Sequence, residues 1–331
     1  MAWTWALFLL FLAFKTVAQQ SQPRILIYSA TAAFRHDSIP SAIEVLQSQA
    51  QLINVLFDQT EDRMRFTDQS LGQYDAIIFL SNTGEVLDNS GKTALHNYLN
   101  SGGNFVGIHS SSDSLINTTF FIRELGAKFD YHADLQEATL NVIGPQHPST
   151  TGVPQNWRIR DEMYNFESDP RAVGAEVVLS VDESSYVDRG PRRFDHGDPH
   201  PIAWFQERGA GVEEGGVAGR SFYTSLGHLT ETWQDPIFLS HVLGGISWAL
   251  QSNTTRAFNS NALVGNGEPG ESTPVATPSP SETASSSETS IGGTSSTTSA
   301  QPGVSSTSPG HGVFVDSTAS FVLMALVVVM T

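Results

Sequence analysis

Cysteine is absent from all 331 positions. That excludes disulfide staples, thiolate metal ligands and cysteine nucleophiles together. Positive charge is scarce: 17 Lys and Arg stand against 34 Asp and Glu, a formal net charge of −17. Such an acidic chain repels polyanions, so no nucleic-acid partner is expected. No Lys or Arg follows Arg256, so nothing beyond it could act as a cytoplasmic stop-transfer charge. No apolar run approaches the ~20 residues that a membrane-spanning helix needs. Close-spaced metal motifs such as H-E-x-x-H are also missing. The glycine-rich stretch GAGVEEGGVAG (209–219) lacks the Lys-Ser/Thr ending of a phosphate loop, so no nucleotide cofactor is expected.

What is present begins at the two ends. Ala6 to Phe14 form an apolar core, followed by small residues Thr16-Val17-Ala18. This predicts a secretory signal over 1–18, with a short uncleaved anchor as the alternative because the first residues carry no positive charge. Residues 259–312 are dominated by Ser, Thr, Pro and Gly, a composition that cannot bury a core and that fits an O-glycosylated stalk. Residues 313–331 close with FVLMALVVVMT, preceded by small residues near Gly310 to Gly312. Small residues, a polar spacer and a short apolar tail predict a GPI-attachment signal; a plain tail is the alternative. The expected product is extracellular and held at the plasma membrane or cell wall by a lipid anchor. Sequons at Asn117 and Asn253 suit glycosylation in that setting.

Residues 19–258 remain for one large α/β domain. Arg24 to Ser29 is a near-continuous apolar run, as in a strand buried on both faces. Residues 39–50 have helical apolar spacing, with Ser38 as a cap and Pro40 in the first turn. Strands are predicted over 52–57, 74–84 and 105–108, and a helix over 90–100 that ends at Gly102-Gly103. The alternation predicts a mostly parallel sheet with helices on both faces. The second half adds strands over 134–144, 157–166, 175–181, 201–207 and 220–228, then a closing helix over 236–250. Sites in parallel sheets form beyond the carboxyl ends of strands. Three polar loops fall there: Arg35-His36, SNTGE (81–85), and the segment with His109 and Asp113. Each alone reads first as an ordinary polar loop.

The ordered set FRHDS, GGNFVGIHSSSD, ELGAKFDYH, QHPST, RDEMYNF, PIAW and GRSFYTSLGHLTETWQDPIF, within residues 24 to 250, resembles the ThuA-like, or trehalose-utilisation, family. The resemblance implies a class I glutamine amidotransferase-like (flavodoxin-like) fold and a role linked to carbohydrate, with oxidised 3-keto sugars as suspected intermediates. Amidotransferases of that fold carry G-x-C-x-G at a sharp strand-to-helix turn. Here the matching stretch is Gly107-Ile108-His109-Ser110-Ser111, so cysteine-dependent glutamine hydrolysis is excluded and His109 stands in place of the thiol. His36, His109, His132, His147 and His228 fall at family-matching positions.

The candidate catalytic residues are His109, Asp113 as its orienting partner, and Glu162. Asp161 and Glu162 are neighbours, so on a strand only one would enter the cleft; the resemblance favours Glu162. The candidate substrate contacts are His36, His132, Tyr164, His228 and Trp233; a buried core role is the alternative for the tryptophan. A Ser-His-Asp arrangement through Ser110 or Ser112 is weaker, because neither serine is at the centre of the elbow. No cofactor is predicted; a divalent metal on His36, His109 and His228 stays open. Two functions remain: an enzyme, a hydrolase or lyase, using histidine–carboxylate acid–base chemistry on a glycoside or keto-sugar, or a non-catalytic surface module binding a carbohydrate or other small molecule.

Overall fold

The computed structural model describes residues 21–265. The signal segment, the C-terminal tail and nearly all of the stalk lie outside the described residues. Among the described residues no helix is long and apolar enough to cross a membrane.

The first half alternates strand and helix: β1 (Arg24–Tyr28), α1 (Ile39–Ser48), β2 (Leu56–Thr60), α2 (Asp68–Leu71), β3 (Ala76–Leu80), β4 (Thr83–Gly84), α3 (Asn89–Asn100) and β5 (Asn104–Ile108). Next come β6 (Asp113–Ser114), α4 (Thr119–Leu125), β7 (Phe129–His132), β8 (Gln136–Val142), β9 (Trp157–Asp161) and β10 (Tyr164–Phe166). The chain continues through β11 (Glu176–Val181), β12 (Pro201–Gln206), β13 (Ser221–Thr224) and α5 (Pro236–Leu250).

Nine strands form one sheet in the order β2-β1-β3-β5-β13-β12-β11-β8-β9. Pairing is parallel from β2 through β13 and antiparallel from β12 onward. The extra strands predicted for the second half therefore extend a parallel sheet along one side. β3 and β5 are buried along their whole length, which is why they read as continuous apolar runs. Their side chains alternate between two cores. Ile25, Ile27, Ile78 and Val106 join Leu46 of α1 and Val242 and Ile246 of α5 on one face. Leu26, Ile77, Phe79 and Phe105 join Leu95 and Leu99 of α3 and Phe121 of α4 on the other.

Several boundaries differ from those predicted. The strand expected over 52–57 starts at Leu56, because the chain after α1 first closes a turn in which Asn54 takes φ +53° and Val55 N–H donates to Ala50 O. The strand expected over 74–84 stops at Leu80. Ser81 takes φ +50°, and Thr83–Gly84 pairs with Asp113–Ser114 as a separate ribbon. The strand expected over 157–166 is two strands in different sheets, β9 beside β8 and β10 beside β7. Ser38 precedes α1 but does not cap it; its hydroxyl donates to Gly227 O, 3.2 Å away. The folded domain also runs past residue 258. Val264 is buried in the second core and Gly265 N–H donates to Gly72 O.

Candidate functional site

The site is built at the carboxyl ends of the parallel strands. β5 ends at Ile108, and His109 follows with φ +55° before the short 3-10 turn His109–Ser112. A non-glycine residue in this left-handed region is uncommon and persists when surrounding contacts fix it. Here Tyr223 Oη donates to His109 O at 2.9 Å, and the His109 ring Nδ1–H donates to Ser225 O at 2.7 Å. Gly107, two residues earlier, leaves room for the turn; a Cβ there would come within 3.0 Å of Tyr223 and Leu125 side-chain atoms. The sharp elbow is therefore present, with an imidazole at its apex.

Because Nδ1 is committed to a carbonyl, His109 Nε2 carries the lone pair in the neutral ring. His36, from the loop after β1, brings its own Nε2 to 3.1 Å from it. His36 Nδ1 lies 3.3 Å from Ser110 Oγ. Tyr164 Oη, at the start of β10, is 3.3 Å from His109 Nε2. Glu162, between β9 and β10, places Oε2 3.9 Å from His109 Nε2 and 3.1 Å from His228 Nδ1. The latter contact is off the hydrogen-bond line, so buried His228 Nδ1 has no hydrogen-bond partner. His132, at the end of β7, lies at the exposed rim with Nδ1 3.6 Å from Glu162 Oε1 and 2.9 Å from its neighbour's carbonyl, Ala133 O. Ring nitrogens of His36, His109 and His228 and an oxygen of Glu162 all lie within 4.8 Å of one another.

Burial sets the protonation states. It pushes His109 well below the usual histidine range, and the nearby His36 ring pushes in the same direction. It lowers His36 to about 4, with His228 adding to the effect. Both rings are neutral at neutral pH, and their lone pairs are free to accept. His228 is pushed upward, chiefly by the Glu162 carboxylate. Burial drives the Tyr164 phenol far above its usual value, so it keeps its proton and remains a donor.

Asp161 holds two parts of this site together. Its Oδ2 accepts Gly227 N–H at 2.9 Å and its Oδ1 accepts Glu162 N–H at 2.8 Å. Burial raises its pKa to about 6 against the pull of those amides. Gly227, with φ +124°, is pinned on its other side by Ser38 and by the Trp233 indole N–H, both donating to its carbonyl. Sequence reasoning set Asp161 aside as the carboxylate that turns from the cleft. It does turn away, and in doing so it fixes the backbone of both Glu162 and His228.

The structure thus brings His36, His109, His132, Glu162, Tyr164 and His228 together. It does not bring Asp113 or Trp233 to them. Asp113 is carried past the elbow onto the β4–β6 ribbon, opposite Thr83, and the Ser225 carbonyl orients His109 instead. Trp233 is wholly buried, edge-on to Phe238, and offers no face to a sugar. Trp204 is equally buried and donates to Leu125 O. His147 stacks on Phe205 inside the core and caps the turn at Pro148–Thr150, away from the cluster. No serine triad forms: the second ring nitrogen of His36 faces His109 rather than a carboxylate, and Ser112 Oγ pairs with Tyr223 Oη.

His196 and His200 form a second group with Glu183. His200 Nδ1 is 3.0 Å from Glu183 Oε1, and its Nε2–H donates to Tyr164 O at 2.8 Å. No spacing rule ties these positions, because the fold of a long loop brings them together. An apolar groove of roughly 530 Å³ between α1 and α5, lined by Leu52, Ile53, Leu239 and Leu243, contains no acid, base or metal ligand. The ionisable groups gather instead around His109.

The sequence profile of the ThuA family, described as trehalose utilisation, matches residues 24–249. The chain belongs to the ThuA family. A ThuA-like protein of Bacteroides uniformis shares 21% identity over 72% of this chain and 96% of its own, with a TM-score of 0.57. One from Parabacteroides merdae shares 18% over 70% and 91%, with a TM-score of 0.52. At those identities the likeness shows the fold, and both are ThuA-like by their descriptions. Among curated proteins none matches.

Proposed function

We propose that this ThuA-family chain is an extracellular, lipid-anchored enzyme that acts on a glycoside or keto-sugar in the histidine cleft. The observation that carries the enzymatic reading is the convergence of Glu162 Oε2 and three imidazole nitrogens beside the Tyr164 hydroxyl. A lectin needs donors and acceptors matched to hydroxyls; this cleft concentrates proton acceptors around one buried point. The family description, trehalose utilisation, supports a sugar substrate. The extracellular setting is supported by the leader-like and tail sequences and by the exposure of both sequon residues, Asn117 and Asn253.

A 3-keto glycoside suits these groups. Its carbonyl acidifies the neighbouring C2–H, and Glu162 accepts that proton. The electron pair passes to the carbonyl oxygen as an enolate, which the Tyr164 O–H meets as a hydrogen-bond donor. The enolate then collapses: a C1–C2 double bond forms, the C1–O bond breaks, and the departing oxygen takes a proton from water at the open rim beside His132, while Glu162 gives its proton back to solvent. The products are an unsaturated ketone and a free alcohol.

Turnover of a chromogenic 3-keto glucoside by the purified protein tests this. Glu162→Gln should lose on the order of 10²–10⁴ in kcat while staying folded. Unimpaired turnover by that variant overturns the assignment. A protein that binds glycans but turns over neither glycosides nor keto-glycosides is the binding module instead.

A further inference from the structure

We infer that the same cleft holds a divalent transition-metal ion on three imidazoles, His36 Nε2, His109 Nε2 and His228 Nδ1, with Glu162 beside its open position. The inference rests on the cleft assigned above and supplies the positive centre that its enolate chemistry wants.

Lone pairs are in surplus here. His109 Nδ1–H is spent on Ser225 O, so Nε2 faces the cleft bare. Ser110 Oγ can take the His36 Nδ1 proton, which leaves His36 Nε2 bare as well. These two nitrogens stand 3.1 Å apart. Two ligands about 2.0–2.1 Å from one ion at tetrahedral or octahedral angles lie roughly 3.0–3.4 Å apart, so the pair has ligand spacing. His228 Nδ1 is buried in the same small volume, 3.1 Å from Glu162 Oε2, and a bound ion would take the place of the proton that this carboxylate favours there. The Tyr164 hydroxyl reaches only His109 Nε2, and the His36–His109 contact can share at most one ring proton.

The surroundings also match what metal-bound histidines need. A ligating imidazole normally donates its other N–H to a carbonyl or hydroxyl, which fixes tautomer and ring direction. His109 has a carbonyl and His36 a hydroxyl in that place. Burial keeps both rings neutral, the form that coordinates. A nitrogen-rich set without thiolate suits zinc, cobalt, nickel or ferrous iron rather than magnesium or calcium. Three protein ligands leave a position for substrate oxygen, the usual plan of a catalytic site. The ion would polarise the sugar carbonyl and steady the enolate, while Glu162 remains the base.

The second histidine group does not invite the same inference. The Arg192 guanidinium lies 2.7 Å from Glu183 Oε1, so that carboxylate already has its cation.

The test uses the full secreted protein, stripped with chelator, reloaded with zinc or cobalt(II), and desalted. About one ion per chain should remain by elemental analysis, and cobalt should give the visible absorption of a nitrogen-ligated tetrahedral centre. His36→Gln and His228→Gln, at the less enclosed ligands, should each lower retention at least about tenfold. Glu162→Gln should keep the ion and lose turnover. If the folded wild type retains less than about a tenth of an equivalent, the metal inference falls. If chelator-stripped protein still turns over keto-glycosides, the acid–base reading survives that failure. If His36→Gln and His228→Gln both keep the ion, it lies elsewhere and the inference also falls. If the ion binds as described but no glycoside or keto-glycoside is turned over, the metal site stands and the proposed reaction fails.

Discussion

At the scale of single residues, the proposed reaction separates groups that would touch substrate from groups that hold them. Tyr164→Phe removes one hydroxyl from a buried ring that keeps its contacts with Phe129 and Phe166. Turnover should fall by about 10²-fold, the loss typical of one missing oxyanion donor, with a nearly unchanged thermal midpoint. Assays of kcat beside a thermal melt separate those two effects. Asp161→Asn should behave differently. An amide that replaces the carboxylate must turn a donor toward one of two backbone N–H groups, at Gly227 and Glu162. Unfolding stability should drop by about 1–3 kcal/mol, and activity should fall with it, because His228 and Glu162 lose their common anchor. A variant that melts like the wild type would show the staple to be unimportant. Much of the chemistry at this scale was legible. His109 was visible because an apolar strand ended in an imidazole at the position of a known elbow, and Glu162 because the family resemblance singled it out from its neighbour Asp161. Asp113 was misplaced because closeness in sequence says nothing of direction once a 3-10 turn intervenes. The partner that orients His109 is a backbone carbonyl 116 positions away, which no side-chain pattern can announce.

At the scale of elements, the central strands were readable and the peripheral ones less so. β1, β3 and β5 are covered on both faces, so burial wrote itself into five consecutive residues. The break between β9 and β10 depends on Asp161 reaching a loop 66 positions on, and the composition of 157–166 carries no trace of it. The glycine-rich stretch after β12, which lacks the ending of a phosphate loop, packs against an acidic residue of α4. Glu124 is fully buried, and Gly211 N–H donates to its Oε2 at 3.0 Å. A Cβ on Gly209 would meet both Glu124 carboxylate oxygens at 2.2 Å, so only glycine permits this approach. Burial raises Glu124 from 4.5 to about 7. A raised carboxyl stabilises the fold fully below its unfolded pKa and loses that contribution as pH climbs through the folded value. Glu124→Gln should therefore match the wild type near pH 5 and melt higher at pH 8. The difference should be on the order of 3 kcal/mol, from 1.4 kcal/mol per pKa unit. Denaturant titrations at the two pH values measure it; equal differences at both would sink the idea.

At the scale of the whole molecule, the two ends of the chain predict where the cleft is displayed. Treating intact cells with a phosphatidylinositol-cleaving phospholipase should release the protein into the medium with its C-terminal apolar residues already absent. Retention on the cells, with residues 321–331 still detected by mass spectrometry, would refute the lipid anchor. The domain itself imposes an order on its own making. β13 lies between β5 and β12 in the sheet but is the last strand to be synthesised. Until Ser221–Thr224 leaves the ribosome, β5 presents an unpaired edge and the second half has nothing to join. His36 and His109 are made long before His228, and the carbonyl that aims His109 belongs to Ser225. A nascent chain stopped anywhere before β13 therefore carries most of the sheet and none of the finished cleft. Any centre formed there is assembled only once residue 228 has been made, with about the last third of the chain still to follow.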